Sequence, residues 1–256
     1  MPTKLEIITL FPEYFSRPLQ QSLLGKAQEK KLIEVVVINL RDFATDRHGT
    51  VDDRPFGGGG GMVLMVEPLD RCLSALGYQR QPSQETDRTK EKILITSAAG
   101  AKLNQTTAIQ YSLCGRLTII CGHYLGVDER LMSLYPIEEV CIGDFVLSGG
   151  EPAAAVIVDA VARLVPGVMG NFESALDDSH MEGILGPPVY TRPAQYKNLE
   201  VPQVLVSGHH KDVRRYRRKE AIRKCVRNRP DLLKTVELSD EDVVLLKEIE
   251  ANAETV

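Results

Sequence analysis

The chain has 256 residues, of which 43% are hydrophobic and 26% are charged, and its formal net charge at pH 7 is −4. These proportions are average for folded domains, so they exclude a disordered chain or a fibrous repeat, and the length favours one medium domain plus a smaller one. Because no run of about 20 apolar residues and no signal-peptide pattern is present, we expect a cytoplasmic protein without membrane segments.

The first two-thirds of the chain alternate short apolar runs with segments of helical periodicity. Runs rich in Ile, Val and Leu predict strands at residues 4–10, 33–39, 92–97, 117–121 and 139–142. Helices are predicted between them at 14–31, 68–76, 105–113, 128–134 and 152–164. Buried strands that alternate with helices are typical of an α/β fold with an open, mostly parallel sheet.

Three glycine-bearing loops follow predicted strands, at residues 97–100, 121–126 and 142–150. In an open α/β sheet, ligands bind where loops leave the carboxyl ends of the strands. A single glycine at the end of a strand is more often only a turn, whereas three such loops together predict one pocket lined by backbone.

Several familiar sites are excluded by their missing partners. The run Gly57–Gly61 is not followed by Gly-Lys-Ser/Thr, and no GxGxxG opens a helix, so a P-loop and a Rossmann site are both excluded. The five histidines are scattered, and no Cys/His spacing fits zinc. The cysteines are odd in number and contain no CxxC, which predicts five reduced packing residues: Cys72, Cys114, Cys121, Cys141 and Cys225.

The last third of the chain differs in composition from the rest. Residues 167–193 lack sustained periodicity and are interrupted by Gly and Pro, which predicts a long interdomain linker. Helices predicted at 211–228 and 241–252 then form a small, mainly helical domain. Between Lys211 and Arg229, ten basic residues face two acidic ones, so this block carries +8 and the remainder −12. Such a block favours a nucleic-acid surface over a merely solvated helix face.

Three further features leave their alternatives open when residue types alone are considered. Asp52 begins the polar sequence Asp-Asp-Arg-Pro, which forms either a turn with a local ion pair or part of a site. Asp178, in the predicted linker, is either a helix cap or a functional carboxylate. Arg163 ends an otherwise apolar helix, where it either pairs with Asp159 or reaches into a site.

Six motifs together resemble the bacterial tRNA guanosine-37 N1-methyltransferases of the SPOUT class. They are HGTVDDRPFGGGGGM at 48–62, CGHYLGVDER at 121–130, IGDFVLSGGE at 142–151, VARLVPGV at 161–168, DDS at 177–179 and YTRP at 190–193. The resemblance follows the family's order and spacing over nearly the whole chain. It implies an S-adenosylmethionine-binding α/β domain with a C-terminal trefoil knot at 1–168, a flexible linker at 169–186, a helical tRNA-binding domain at 187–256, and an obligate homodimer.

The activity implied by the resemblance is methyl transfer from S-adenosylmethionine to N1 of guanosine 37, next to the tRNA anticodon. The family's general base corresponds to Asp178, its charge-stabilising arginine to Arg163, and its acidic residue contributed across the dimer to Asp52. Donor contacts are implied for Ser97, Gly122, Tyr124, Ile142, Gly143, Asp144, Phe145, Val146, Leu147, Gly149 and Gly150. Contacts to the anticodon stem-loop are implied for Lys211, Arg214, Arg215, Arg217 and Arg218.

The chain departs from the family at Leu125, where a glutamate is usual, and at Ala98 and Gly60, where prolines are common. Loss of the glutamate means that none of its roles can be transferred to this chain. The family reaction is assisted by Mg²⁺, although no separate metal motif is found here. Two alternatives are a knotted methyltransferase for another RNA position and, because of Leu125 and the basic helix, a silent RNA-binding protein.

Overall fold

A computed structural model describes residues 2–80, 90–170 and 178–253 of the chain. The structure divides into two compact units, Met1–Gly170 and Asn171–Val256. Asp177, the first residue of the DDS motif, lies outside the described residues. We refer to the two parts as the N-terminal unit and the C-terminal unit.

A parallel sheet of five strands organises the N-terminal unit, in the order β2-β1-β6-β5-β7. The strands are β1 Thr3–Thr9, β2 Ile33–Asn39, β5 Glu91–Lys102, β6 Arg116–Ile120 and β7 Ile137–Cys141, and an antiparallel pair is formed by β3 Asp52–Asp53 and β4 Val63–Leu64. The α/β class and the parallel sheet predicted from the apolar runs are confirmed. The trefoil knot stays a prediction.

In the described part of this unit, four α-helices lie between strands and a fifth follows β7: α1 Ser22–Glu29, α2 Val66–Ala75, α3 Gln105–Ser112, α4 Arg130–Leu134 and α5 Glu151–Ala162. The single helix predicted at 14–31 is wrong. Two 3₁₀ turns, Pro12–Phe15 and Pro18–Gln20, precede α1. Proline lacks the N–H that a continuous α-helix would use at residue 18, and it disfavours helical geometry at the residue before it.

Strand β5 extends beyond the predicted strand at 92–97. Its pairing with β7 continues to Lys102, with a shift in register between Thr96 and Ala101. The loop at 97–100 therefore lies within the strand as an irregularity, and pairing with β7 resumes beyond it. Gly100 permits this, since a Cβ at that residue would lie 2.4 Å from the backbone nitrogen of Val140. A residue with a side chain would push the two strands apart.

Apolar side chains cover both faces of the sheet because successive residues of a strand point to opposite sides. On one face, Leu5 and Ile7 of β1 pack with the apolar helix α5. On the other, Ile8 packs with residues of α2 and α4, including Leu69 and Leu131. All five cysteines are buried and free, which confirms the prediction that they are reduced packing residues. Burial raises the pKa of Cys72 to about 12, so this thiol is unreactive.

A buried carboxylate, Glu6, joins the amino-terminal ends of β1 and β6. Arg116 donates to both of its oxygens at 2.9 and 3.1 Å, and Thr118 donates a third hydrogen bond at 2.6 Å. The Lys4 ammonium lies 2.7 Å from the same carboxylate. Burial alone would raise the pKa of Glu6, but these hydrogen bonds and the charge of Arg116 outweigh it, and the pKa is lowered.

Glu6→Gln is expected to lower the free energy of unfolding by about 2 kcal/mol at pH 7, because it leaves Arg116 without its buried carboxylate. The folded pKa of Glu6 lies below its unfolded value, so its contribution is complete above the unfolded value and is lost as the pH falls through the folded one. The difference between wild type and variant should therefore shrink below about pH 4. Urea unfolding followed by circular dichroism across this range measures it.

Glu91→Gln is the matched control for this prediction. Glu91 lies 4.0 Å from the same arginine, and its side chain is 51% exposed. An exposed ion pair contributes at most about 1 kcal/mol, so the control should be nearly neutral. Equal losses in the two variants would show that the buried carboxylate has no special part in the fold.

The C-terminal unit is mainly helical, as predicted. Its elements are the hairpin strands β8 Gln195–Tyr196 and β9 Leu199–Glu200, and the helices α6 Gln203–Val206, α7 His210–Asn228, α8 Leu232–Thr235 and α9 Asp240–Ala253. A small core joins α7 to α9 through Ile222, Cys225 and Leu245, and Ile184 packs into it. Residues around Ile184, which the sequence assigns to the linker, are therefore attached to this unit.

Candidate active site

A cleft of about 410 Å³ opens in the N-terminal unit, beside the irregular part of β5 at residues 97–100 and the carboxyl ends of β6 and β7. Its walls come from three loops, at residues 97–100, 121–126 and 142–150, and from the start of α5. These are the loops predicted to form one pocket. Their meeting follows from the topology, because β6, β5 and β7 are neighbours in the sheet and run in the same direction.

Hydrogen bonds of backbone N–H groups connect the loops that line the cleft. The Gly122 N–H donates to Thr96 Oγ1 at 2.9 Å, and the Gly150 N–H donates to the Gly122 carbonyl at 2.7 Å. Helix α5 begins immediately afterwards at Glu151, whose buried carboxylate accepts a hydrogen bond of 2.7 Å from Thr9. The cleft is therefore built into the ends of β1, β5 and β6.

Two glycines at these crossings have no room for a side chain. A Cβ on Gly122 would lie 2.3 Å from the carbonyl oxygen of Thr96. A Cβ on Gly150 would lie 1.9 Å from Thr96 Oγ1 and 2.6 Å from the backbone nitrogen of Gly122. Both distances are far below contact, so the loops approach this closely only because these residues are glycines.

The residues predicted to contact the methyl donor converge on this cleft. Those that line it are Ser97, Gly122, Tyr124, Ile142, Gly143, Phe145, Val146, Leu147, Gly149 and Gly150. Asp144 is the exception. It is not among the residues that line the cleft, and its exposed carboxylate accepts a hydrogen bond of 2.7 Å from Lys102. This hydrogen bond raises the pKa of Lys102.

The structure adds residues to the cleft that the sequence reasoning missed. Thr96 links two of the loops, and Glu129 and Glu139 are among the lining residues. His123 stacks edge-on against Tyr124, and its buried Nδ1 has no hydrogen-bond partner among the described residues. Thr96 and His123 had a sequence signal, since Thr96 directly precedes the first glycine-bearing loop and His123 lies within the second.

The glycine run is attached to the rim of the cleft. The Leu125 N–H donates to the Met62 carbonyl at 3.0 Å, and Leu64 of β4 forms an isolated parallel bridge with Val127. The Leu125 side chain is 63% exposed and lies against Gly61, where a Cβ would be 3.0 Å from Leu125 Cγ. An apolar side chain therefore covers this rim where the family has a carboxylate.

None of the three predicted catalytic residues lines the cleft of its own chain. Asp52 opposes Leu64 in the β3–β4 pair, next to the rim but outside the lining. Arg163 caps the far end of α5, and at 1.5 Å per residue it lies roughly 18 Å along the helix from Glu151. Its Nη2 lies 4.0 Å from Met169 Sδ. Asp178 is exposed and belongs to the C-terminal unit.

Of the five predicted RNA-binding residues on α7, Arg217 is half-buried and the other four fall into two groups. Arg215 donates to Glu248 at 2.6 Å, and Arg218 donates to Asp242 at 2.7 and 2.8 Å, so both help to hold α9 against α7. Arg215 and Arg218 therefore stabilise the packing of the C-terminal unit, a role that was not predicted from the sequence. Lys211 and Arg214 are exposed, and neither makes an ion pair with any other residue in the described part of the chain.

The described residues contain neither a cluster of metal ligands nor a helix that could span a membrane. In residues 2–80, 90–170 and 178–253, no three His, Cys, Asp or Glu side chains converge as ligands for an ion. Within the same ranges, no helix combines the length and the apolar composition that a membrane span requires.

Comparison with known proteins identifies what the chain is similar to. A model of the family described as tRNA (Guanine-1)-methyltransferase TrmD matches residues 3–235. The tRNA (guanine-N(1)-)-methyltransferase of Geotalea uraniireducens is 45% identical over 96% of this chain and 97% of its own length. Proteins with the same name from Brevibacillus brevis and Citrifermentans bemidjiense are 45% and 46% identical, covering 96% and 99% of this chain and 98% and 99% of their own lengths.

Proposed function

The chain belongs to the tRNA (guanine-1)-methyltransferase family, and from this premise we infer that it methylates N1 of a guanine in tRNA, with S-adenosylmethionine as the methyl donor. We propose more specifically that the target is guanosine 37, next to the anticodon. The observation that carries the proposal is the cleft formed where the three glycine-bearing loops meet, which unites the residues that the family resemblance assigns to the donor.

The properties of the cleft fit the donor. Its volume of about 410 Å³ lies within the range of roughly 300–1,000 Å³ that is typical of small-molecule sites. Ile142, Phe145 and Leu147 offer apolar surface to an adenine ring, and backbone groups of the loops offer hydrogen bonds. The lining residues include two glutamates, Glu129 and Glu139, and acidic residues near the cleft favour a ligand that carries both an ammonium and a sulfonium.

Methylation at N1 requires the loss of the proton that this nitrogen carries at neutral pH. The bound donor supplies an electrophilic methyl group, so that the N1–carbon bond forms as the sulfur–carbon bond breaks and S-adenosylhomocysteine leaves. We assign removal of the N1 proton to the Asp178 carboxylate. We assign stabilisation of the negative charge that develops on guanine O6 to the Arg163 guanidinium.

We propose that the active enzyme is a homodimer whose sites combine residues of two copies. Arg163 lies at the end of α5 remote from the cleft, so it can approach a donor only in a cleft of another copy. Helix α5 is mostly apolar, and one of its apolar side chains, Val156, is 46% exposed. A second copy that covers this face would bury apolar surface and bring Arg163, Asp52 and Asp178 to the partner's donor.

Mixed dimers test this arrangement. Asp178→Asn removes the base and Gly150→Ala obstructs the donor cleft, so each variant should be inactive alone. Co-expressed with two different tags and purified as a heterodimer, they should regain about half of the wild-type activity, because one of two equivalent sites is then intact. A heterodimer as inactive as its parents would mean that each copy forms its site alone.

We propose that the basic helix α7 binds the phosphates of the anticodon stem, which gives affinity without reading base identity. We also place the enzyme in the cytoplasm, where it would meet its tRNA. The reaction itself is tested by incubating the protein with labelled S-adenosylmethionine and tRNA, digesting the RNA and identifying the product nucleoside by mass spectrometry. We expect 1-methylguanosine. A ribose-methylated nucleoside would instead favour the alternative of a related methyltransferase with another target.

A further inference from the structure

A second cleft lies within the C-terminal unit, between residues 178–187 and one face of α7. We call it the arginine cleft, because Arg214, Arg217 and Arg218 line it opposite Asp178 and Glu182. Residues three and four apart share one face of a helix, so the three guanidinium groups lie on the same side of α7. The cleft has a volume of about 140 Å³, several times the roughly 30 Å³ of a water molecule in the liquid.

The wall that faces the arginines is held in place by contacts along its length. The Gly186 N–H donates to Ser179 Oγ at 2.9 Å, which closes the segment into a compact turn. Glu182 accepts a hydrogen bond of 2.7 Å from Arg218, and Ile184, which is 4% exposed, packs into the core of the unit. The cleft is therefore formed by the folded C-terminal unit itself.

Two of the arginines of the cleft, Arg218 and Arg214, differ in how far their charge is neutralised. Arg218 makes ion pairs with Asp242 and Glu182, so its charge is balanced. Arg214 is exposed, and no carboxylate of the described residues forms an ion pair with it. Asp178, the residue assigned as the general base, is a carboxylate at the edge of the same cleft. The arginine cleft thus combines available positive charge with the catalytic carboxylate.

We propose that the arginine cleft binds a phosphodiester group of the tRNA, and that the bound phosphate displaces the Asp178 carboxylate from the cleft. Guanidinium groups bind phosphate through paired, charge-assisted hydrogen bonds, and the cleft has room for such a group. A phosphate held in the cleft places a negative charge near the Asp178 carboxylate, which lines the same cleft, and like charges repel. The inference rests on the proposed function, in which Asp178 removes the N1 proton.

The consequence is that binding of the tRNA backbone releases the base for catalysis. Before tRNA arrives, the Asp178 carboxylate lies at the arginine cleft of the C-terminal unit. Once a phosphate occupies the cleft, the carboxylate leaves it and is available to the target guanine. Coupling between two binding events is reciprocal. If a bound phosphate disfavours the Asp178 carboxylate in the cleft by a given factor, the carboxylate weakens RNA binding to the cleft by the same factor.

This reciprocity gives a test that does not depend on activity. The dissociation constant of fluorescently labelled tRNA is measured by anisotropy at fixed ionic strength for the wild type, Asp178→Asn, Arg214→Ala and the double variant. We expect Asp178→Asn to bind tRNA about fivefold more tightly than the wild type, the effect of an exposed charge contact of moderate strength. In the Arg214→Ala background the same substitution should change the affinity less than about twofold.

Asp212→Asn is the matched control, because it removes one negative charge from an exposed residue of the same helix that does not line the cleft. Equal tightening by Asp178→Asn and Asp212→Asn would overturn the inference, since only the net charge would then matter. Tightening that persists without Arg214 would overturn it as well. Failure of the wild type to bind tRNA at all would instead contradict the proposed function.

Discussion

Asp178→Asn is expected to reduce the rate of methyl transfer to tRNA by about 10²- to 10⁴-fold, the usual contribution of a general base. Asparagine has nearly the same size as aspartate, so the segment that carries it should keep its structure, but its amide cannot accept the N1 proton. Asp178 belongs to the C-terminal unit and the donor cleft to the N-terminal unit, so binding of the donor should be unchanged. Single-turnover transfer and calorimetric titration with S-adenosylmethionine measure the two quantities.

Two controls make this prediction specific. Asp212→Asn makes the same chemical change on α7, away from the arginine cleft, and should retain nearly full activity. A rise in pH should restore the activity of the Asp178→Asn variant only if the N1 proton is lost to solvent. The rate of transfer would then increase with hydroxide concentration. An Asp178→Asn enzyme with wild-type turnover at neutral pH would remove Asp178 from the role of base.

Gly150→Ala is expected to weaken S-adenosylmethionine binding by more than about tenfold and to abolish transfer at ordinary donor concentrations. Its Cβ would lie 1.9 Å from Thr96 Oγ1 and 2.6 Å from the Gly122 nitrogen, so the loops after β5 and β6 must both move. Overpacking of this kind also costs about 1–3 kcal/mol of stability. Calorimetric titration with the donor and thermal unfolding measure the two effects.

Gly115→Ala is the matched glycine control. Gly115 precedes β6 at the opposite end of that strand, and a Cβ there would make only an ordinary contact, 3.6 Å from the Lys90 carbonyl oxygen. We expect nearly unchanged donor binding and stability in this variant. If Gly150→Ala bound the donor as tightly as the wild type, the crossing of the three loops would not form the donor site.

The sequence was sufficient for the features that depend on local patterns. Apolar runs of strand length separated by helical segments predicted the parallel sheet, because buried parallel strands are apolar on both faces. The loops after β5, β6 and β7 could be placed together because the carboxyl ends of neighbouring parallel strands meet at one edge. The interruption of the first helix has a local cause that the predicted helix at 14–31 did not take into account, since Pro18 lies within it.

Features that depend on packing between distant residues could not be obtained in this way. The link from Thr96 to Gly122 joins residues 26 apart in sequence, and the ion pair of Arg218 with Asp242 depends on how α9 packs against α7. Asp144 lies within a donor motif, yet its partner is Lys102 on another strand. The direction of α5, which carries Arg163 away from the cleft, follows only from the three-dimensional arrangement.

Methyl transfer to a pair of tRNA transcripts that differ only at nucleotide 37 tests the central claim most directly. One transcript carries guanosine at this nucleotide and the other adenosine, and both are incubated with the wild-type protein and labelled S-adenosylmethionine. We predict 1-methylguanosine, identified by mass spectrometry, from the first transcript and no label in the second. Equal labelling of both transcripts, or a different methylated nucleoside, would contradict the assignment of guanosine 37 as the target.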